Sequence, residues 1–217
     1  AVPMPSSDTS KSVFLIFLVF GLNLKSQIIS FELEETWTIL DVNQTYTNYG
    51  IPSIAGEINY EVNGYKVTYW TPDYDGSLVI CSGAIFLPVG INCSAPILSW
   101  QHGTATHNDD IPSNLQSANN ILGIIAASHG YIVMMSDYIG LGEGEGIHNY
   151  VHADTEASSI IDLIIYGKEF AIDMNIQPNN QLFLLGYSQG GHATMAAVRE
   201  IEENYSEELQ ITASAPM

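Results

Sequence analysis

Basic residues are scarce: 5 Lys and Arg stand against 24 Asp and Glu in 217 residues, a formal net charge of −19. A chain of that sign lacks the electrostatic footprint of a nucleic-acid binder, and docking on anionic membranes is disfavoured. Neutral or cationic partners suit it better. Cysteine is scarcer still. Cys81 and Cys93 are too few for a disulfide framework or, by themselves, for a zinc site. They leave open one bridge or two free, buried thiols. The apolar run from Val13 to Leu24 is about 12 residues, short of the roughly 20 that a membrane-spanning helix needs, so no integral span is expected there. No internal repeat and no low-complexity block is visible. What is present is 46% hydrophobic and only 13% charged residues, which excludes a disordered chain and is enough for one globular core.

The Val13–Leu24 run follows Lys11 and is followed by the small residue Ser26. Basic, apolar, small is the order of a secretory signal peptide, so residues 1–26 read as one. A buried N-terminal helix or strand is the alternative. Export implies a secreted or periplasmic protein and would permit a Cys81–Cys93 bridge. The sequons at Asn43, Asn92 and Asn204 would matter only in a eukaryotic secretory pathway.

Residues 27–57 mark no clear element. Ile58 to Thr71 alternates around Asn63-Gly64 and predicts strand or hairpin material. Ser77 to Leu87 predicts a strand closed by Pro88 and Gly90, and Ile97–Trp100 a short one. From there strands and helices alternate. Helices are expected over Leu115–Ser128, Ala153–Phe170 and Gly190–Tyr205, with continuous apolar runs at Tyr131–Met135 and Leu182–Leu185 as strands buried on both faces. Ile211–Ser214 looks like the start of another strand. An antiparallel beginning followed by repeated β–α units implies an α/β fold with a mostly parallel sheet and flanking helices.

Gly186-Tyr187-Ser188-Gln189-Gly190 reads G-x-S-x-G. The string alone is weak evidence, but four apolar residues precede it and an amphipathic helix follows. That strand–turn–helix setting is what a nucleophile elbow requires. The turn is strained, so its flanks need small residues, which Gly186 and Gly190 supply. The hydroxyl of Ser188 then projects above the sheet, and the helix starting at Gln189 aims its free N–H groups at developing negative charge. An ordinary serine in a glycine-rich turn is the bland alternative. His102-Gly103-Thr104 follows a core strand, where backbone N–H groups can complete an oxyanion hole; a simple turn is the competing reading.

Three segments together resemble the α/β-hydrolases, and more narrowly their secreted, lipase-like serine esterases. They are Trp100–Thr104, Gly130–Gly142 with its Asp137-Tyr138-Ile139-Gly140-Leu141-Gly142, and Gly186–Ala193 with its Ser188-Gln189-Gly190-Gly191-His192. The string from His148 through Tyr150 and His152 to Glu156 is similar to that branch as well. The resemblance implies hydrolysis of a small-molecule or lipid ester through an acyl-enzyme on Ser188, without a cofactor. It implies oxyanion donors at the backbone of Gln189 and of Gly103–Thr104. His102, Tyr187, His148, Tyr150 and His152 are candidates for the pocket. Asp137 and His192 join Gly186 and Gly190 as structural support.

The superfamily orders its triad Ser, Asp or Glu, His. After Ser188 there is no Asp, and the one His, His192, rides the same helix as the nucleophile, whereas a base must approach from a separate loop. The glutamates after residue 199 lie at the far end of that helix. Residues 27–217 are therefore expected to be the N-terminal part of a single α/β-hydrolase domain, with acid and base beyond Met217, and this piece alone is expected to be a poor esterase. A serine peptidase on the same fold and a non-catalytic hydrolase-fold binding protein are the rival readings. No metal is expected: His148 and His152 are four apart, but the glutamate of a zinc-protease helix is absent.

Overall fold

A computed structural model of the chain describes residues 28–50 and 56–217. The expected signal peptide lies outside the described residues. Seven strands form one sheet in the order β1-β2-β3-β5-β4-β6-β7: β1 Ile28–Trp37, β2 Val62–Pro72, β3 Leu78–Pro88, β4 Ala95–Gln101, β5 Ile132–Ser136, β6 Pro178–Gly186 and β7 Ile211–Pro216. The first three pair antiparallel, and β3 meets β5 antiparallel. From β5 through β4 and β6 to β7 the sheet is parallel. The helices are α1 Ile39–Asn48, α2 Ile121–Ser128, α3 Ala153–Asp173 and α4 Gln189–Asn204.

Each parallel crossover carries a helix, and the helices cover both faces. β5 shows why its run of apolar residues has no polar alternation. Ile132 and Met134 join the core under α3 and α4, with Ile160, Ile161 and Ala193. Val133 and Met135 point the other way, into a second core with Phe86, Leu98 and Ile124 of α2. Both faces are buried, so both parities must be apolar.

One open reading is decided and two expectations change. Of strand or hairpin, Asn63-Gly64 is strand: it lies inside β2, and a Cβ on Gly64 would sit 2.6 Å from the Trp37 ring. Glycine at this position lets β1's indole approach the neighbouring strand closely. The helix over Leu115–Ser128 starts only at Ile121, because Ser117 and Asn120 side chains take over the backbone groups upstream. Ser117 Oγ accepts from Asn119 N at 3.2 Å, and Asn120 Nδ2 donates to the Pro112 and Asn114 carbonyls at 3.0 and 2.8 Å. Such local bonds favour a 3-10 turn, here Ala118–Asn120, over helix. Residues 27–57, which mark no clear element in the sequence, contain β1 and α1. The start of α1 is a capping box: Thr38 Oγ1 accepts from Asp41 N while the Asp41 carboxylate accepts from Thr38 N.

The two thiols are free and unlike each other: Cys81 is buried and Cys93 exposed. Burial pushes the Cys81 thiol up to about 12. A disulfide-exchange reagent at neutral pH should therefore titrate one thiol per folded chain, at Cys93, and release the second only on unfolding. Fast reaction of both in the folded protein would show that the environment of Cys81 is open.

Candidate active site

β6 runs to Gly186 and α4 starts at Gln189, so the chain must reverse within two residues. Ser188 takes φ 58° and ψ −118° to do it. Among the described residues, the non-glycine positions with positive φ are Tyr138, Val151, Asn175 and Ser188. Asn175 ends a helix, where a left-handed residue is ordinary. Tyr138 and Val151 belong to the loops beyond β5, on the same edge of the sheet as Ser188, so the strain concentrates there. A Cβ on Gly186 would overlap the Gly190 carbonyl oxygen, and one on Gly190 would overlap the Gln101 carbonyl. The turn closes only with glycine at both places, and Gly190 also brings the elbow down onto the end of β4.

Ser188 is exposed, and its hydroxyl makes no cap on α4. Gly103 lies against it: a Cβ there would be 3.4 Å from the Tyr187 carbonyl oxygen and 3.8 Å from Ser188 Cβ. Among the described residues the N–H groups of Gly103, Thr104 and Gln189 have no hydrogen-bond acceptor. Free donors of two separate loops thus flank one serine.

The loops behind are held by buried polar groups. The His102 ring is buried, not set in an open wall. Its Nδ1 lies 2.7 Å from the Gly103 carbonyl and its Nε2 3.2 Å from the Asp137 carbonyl. It stacks on Tyr138 at 4.3 Å, and the Tyr138 hydroxyl donates to the His102 carbonyl at 2.9 Å. Burial holds this ring below the usual histidine range. Asp137 is also fully buried. Its carboxylate accepts from Ser82 Oγ at 2.6 Å and from Ser113 N at 2.8 Å, and Gly142 leaves room for it. It ties the loops after β4 and β5 to β3.

Burial raises the Asp137 carboxyl above its ordinary range. The folded chain then binds this proton more readily than the unfolded one. The group's contribution to stability therefore grows as pH falls from above the folded-state pKa towards the unfolded value, and shrinks as pH rises. Asp137→Asn should flatten that slope in urea titrations across acidic pH. Asp137→Ala should cost about 2–3 kcal/mol, because Ser82 and Ser113 lose their acceptor. An Ala variant as stable as the parent would remove the role.

Tyr187 is 63% exposed beside the serine, and Tyr150 is 56% exposed. Tyr150 OH lies 3.0 Å from Thr104 Oγ1, which links the loop after β5 to the Gly103–Thr104 turn. His148 is half-buried, with Nδ1 3.2 Å from the Ile139 carbonyl. His152 is exposed and acts as the N-cap of α3, accepting from Thr155 N at 3.4 Å. Among the described residues no three His, Cys, Asp or Glu side chains gather as metal ligands.

One residue was visible only as part of a string. Glu156 in the first turn of α3 is buried, and both carboxylate oxygens are used by α4: Oε1 accepts from Gln189 Nε2 at 2.9 Å and Oε2 from His192 Nδ1 at 2.6 Å. The Gln189 amide also meets His148 Nε2 at 3.2 Å. The available signal was position: Glu156, Ile160, Leu163 and Gly167 share one stripe of α3, and all are buried. A carboxylate inside an apolar stripe needs a partner.

With this geometry in hand, the comparisons are specific. The secretory lipase family model matches residues 111–215. A Legionella pneumophila protein assigned as a hydrolase superposes with a TM-score of 0.80 at 31% identity, over 88% of this chain and 51% of that one. The ligand-bound rice cell wall degrading esterase LipA from Xanthomonas oryzae gives 0.77 at 29% identity, over 88% and 49%. Candida antarctica lipase A gives 0.62 at 23%, over 87% and 41%, a likeness of fold. No curated protein matches. The chain spans about half the length of the solved structures it matches. It has the α/β-hydrolase fold, and the resemblance drawn from its sequence to secreted, lipase-like hydrolases holds.

Proposed function

We propose that the chain is the N-terminal part of a secreted serine hydrolase of carboxylic esters, with Ser188 as nucleophile. The observation that carries this reading is the juxtaposition at the elbow: an exposed serine at φ 58°, flanked by unpaired N–H groups of Gln189 and of Gly103–Thr104. In the first half-reaction Ser188 Oγ bonds to the acyl carbon and its proton passes to a general base. The carbonyl oxygen becomes an oxyanion that these N–H groups stabilise. Collapse expels the alcohol, which takes the proton back from the base. Water then attacks the acyl-enzyme by the same route, releasing acid and free Ser188.

The base and its orienting carboxylate are assigned to sequence beyond Met217. Within the described residues His102 and His148 have their ring nitrogens at backbone carbonyls or Gln189, and His192 is taken by Glu156. The family order Ser, Asp, His and the half-length coverage agree with that assignment. The match to the secretory lipase family model and the signal-like order of residues 1–26 support secretion; among the described residues no helix is long and apolar enough to cross a membrane.

The test is labelling of the complete protein by a fluorophosphonate, with peptide mapping, alongside p-nitrophenyl esters of increasing acyl length. Label on Ser188 and ester turnover are expected. Labelling without ester turnover, but with cleavage of peptides bearing a free N-terminal amine, would move the assignment to a peptidase. Absence of label would support a binding protein.

A further inference from the structure

We infer that Glu156 is a positioning residue for the oxyanion hole, acting through Gln189, with His192 anchoring its second oxygen. The inference rests on Ser188 being the nucleophile. Gln189 is the residue whose backbone N–H flanks Ser188, and its side chain is buried. The angle of that N–H follows the first turn of α4, which nothing caps from the Ser188 side chain. Glu156 supplies the missing restraint from α3. One oxygen grips Gln189 and the other His192, three residues further on, so a single buried carboxylate spans the first turn of the helix. The remaining amide hydrogen of Gln189 reaches His148 Nε2, which makes that nitrogen the acceptor and places the His148 proton on Nδ1, facing the Ile139 carbonyl. Both amide hydrogens are thereby spent, and the Gln189 rotamer is locked.

His192 fixes the far side of the carboxylate. The imidazole is 39% exposed while Glu156 is 1% exposed, and the two meet at 2.6 Å. The two contacts divide two duties: His192 anchors the carboxylate, and Gln189 receives the orientation. A surface tether between the same helices, Arg199 to Asp154 at 3.0 Å, does neither, since both partners are well exposed.

The test uses the complete protein and p-nitrophenyl butyrate, with a trifluoromethyl ketone as a probe of oxyanion binding. Glu156→Leu should lower kcat about 30-fold with KM within about twofold, the pattern of an interaction made only in the transition state. Ketone affinity should fall in parallel. Glu156→Gln, which still accepts from Gln189, should recover kcat to within about fivefold of the parent. His192→Leu removes the anchor of the second carboxylate oxygen and should cost about tenfold in kcat. Asp154→Ala should change nothing. If Glu156→Leu does not fold, Glu156→Gln and His192→Leu decide. Folded variants with parental kcat and parental ketone affinity would overturn the role, as would a fall in thermal stability alone. Wild-type protein that a fluorophosphonate does not label at Ser188 would overturn the hydrolase reading beneath it, a result distinguishable from indifferent variants of a labelled enzyme.

Discussion

Ser188→Ala should abolish fluorophosphonate labelling and lower ester turnover by at least about a thousandfold in the complete protein. The size follows from what remains. Without Oγ no acyl-enzyme forms, and only the N–H groups of Gln189 and Gly103–Thr104 are left to polarise a carbonyl for direct attack by water. Ser188→Gly should be equally inactive, yet differ in stability. Ser188 sits at φ 58° with ψ −118°, outside the regions an L-residue favours, and strain of this kind costs about 1–3 kcal/mol. Alanine keeps the Cβ and so keeps the strain. Glycine removes it, at some cost in unfolded-state entropy, so the Gly variant should melt a few degrees above the Ala variant. Calorimetry on both, beside the activity assay, checks the pair. If Gly melts below Ala, the elbow is not strained in the way its dihedrals indicate. If Ser188→Ala keeps more than about a tenth of the parental kcat, the acyl-enzyme mechanism fails.

The elbow was legible in the sequence because its steric needs leave little freedom: two glycines at fixed spacing, an apolar strand before and an amphipathic helix after. The parallel half of the sheet was legible for a similar reason, since strands buried on both faces cannot hide their composition. The edges were not. In β1 the alternation Phe31-Glu32-Leu33-Glu34 is present, but Phe31 and Leu33 stay about half-exposed, and a strand paired on one side carries a weak signal. The capping box at Thr38–Asp41 was equally present and equally easy to pass over, because α1 buries only Val42. α2 was overextended for the opposite reason. Leu115 does belong to the core, but a turn carries it there, so burial imitated helical periodicity. At the site, residue types were visible and their partners were not. The resemblance makes His102 a pocket histidine, yet the structure buries its ring between the Gly103 and Asp137 carbonyls. Glu156 reads only as the end of a string similar to the lipase-like branch, yet its carboxylate reaches another helix. Pairings of this kind arise from the crossing of α3 and α4, a three-dimensional fact with no fixed sequence separation.

Gly190→Ala should be the most destabilising single methyl in the described chain. Three conditions meet there. The added Cβ would overlap the Gln101 carbonyl carbon and oxygen and crowd the His102 carbonyl, and backbone atoms cannot rotate aside as a side chain can. The Gln101 carbonyl ends β4, a central strand paired on both sides, with Ile97 and Leu98 paired to β5 and β6 alike. The displaced turn also carries the Gly103–Thr104 N–H groups, so relief of the clash has to move that loop. Overpacking of a well-packed site usually costs about 1–3 kcal/mol; with no flexible atom to yield, the upper end or beyond is expected, seen as a lower urea midpoint at unchanged m-value. Gly186→Ala meets the Gly190 carbonyl in the same turn and should behave alike. Because the two glycines relieve one closure, the double variant should cost less than the sum of the singles. Additive costs would mean that each glycine serves a separate contact, and that the elbow is not the single steric unit from which Ser188 takes its position.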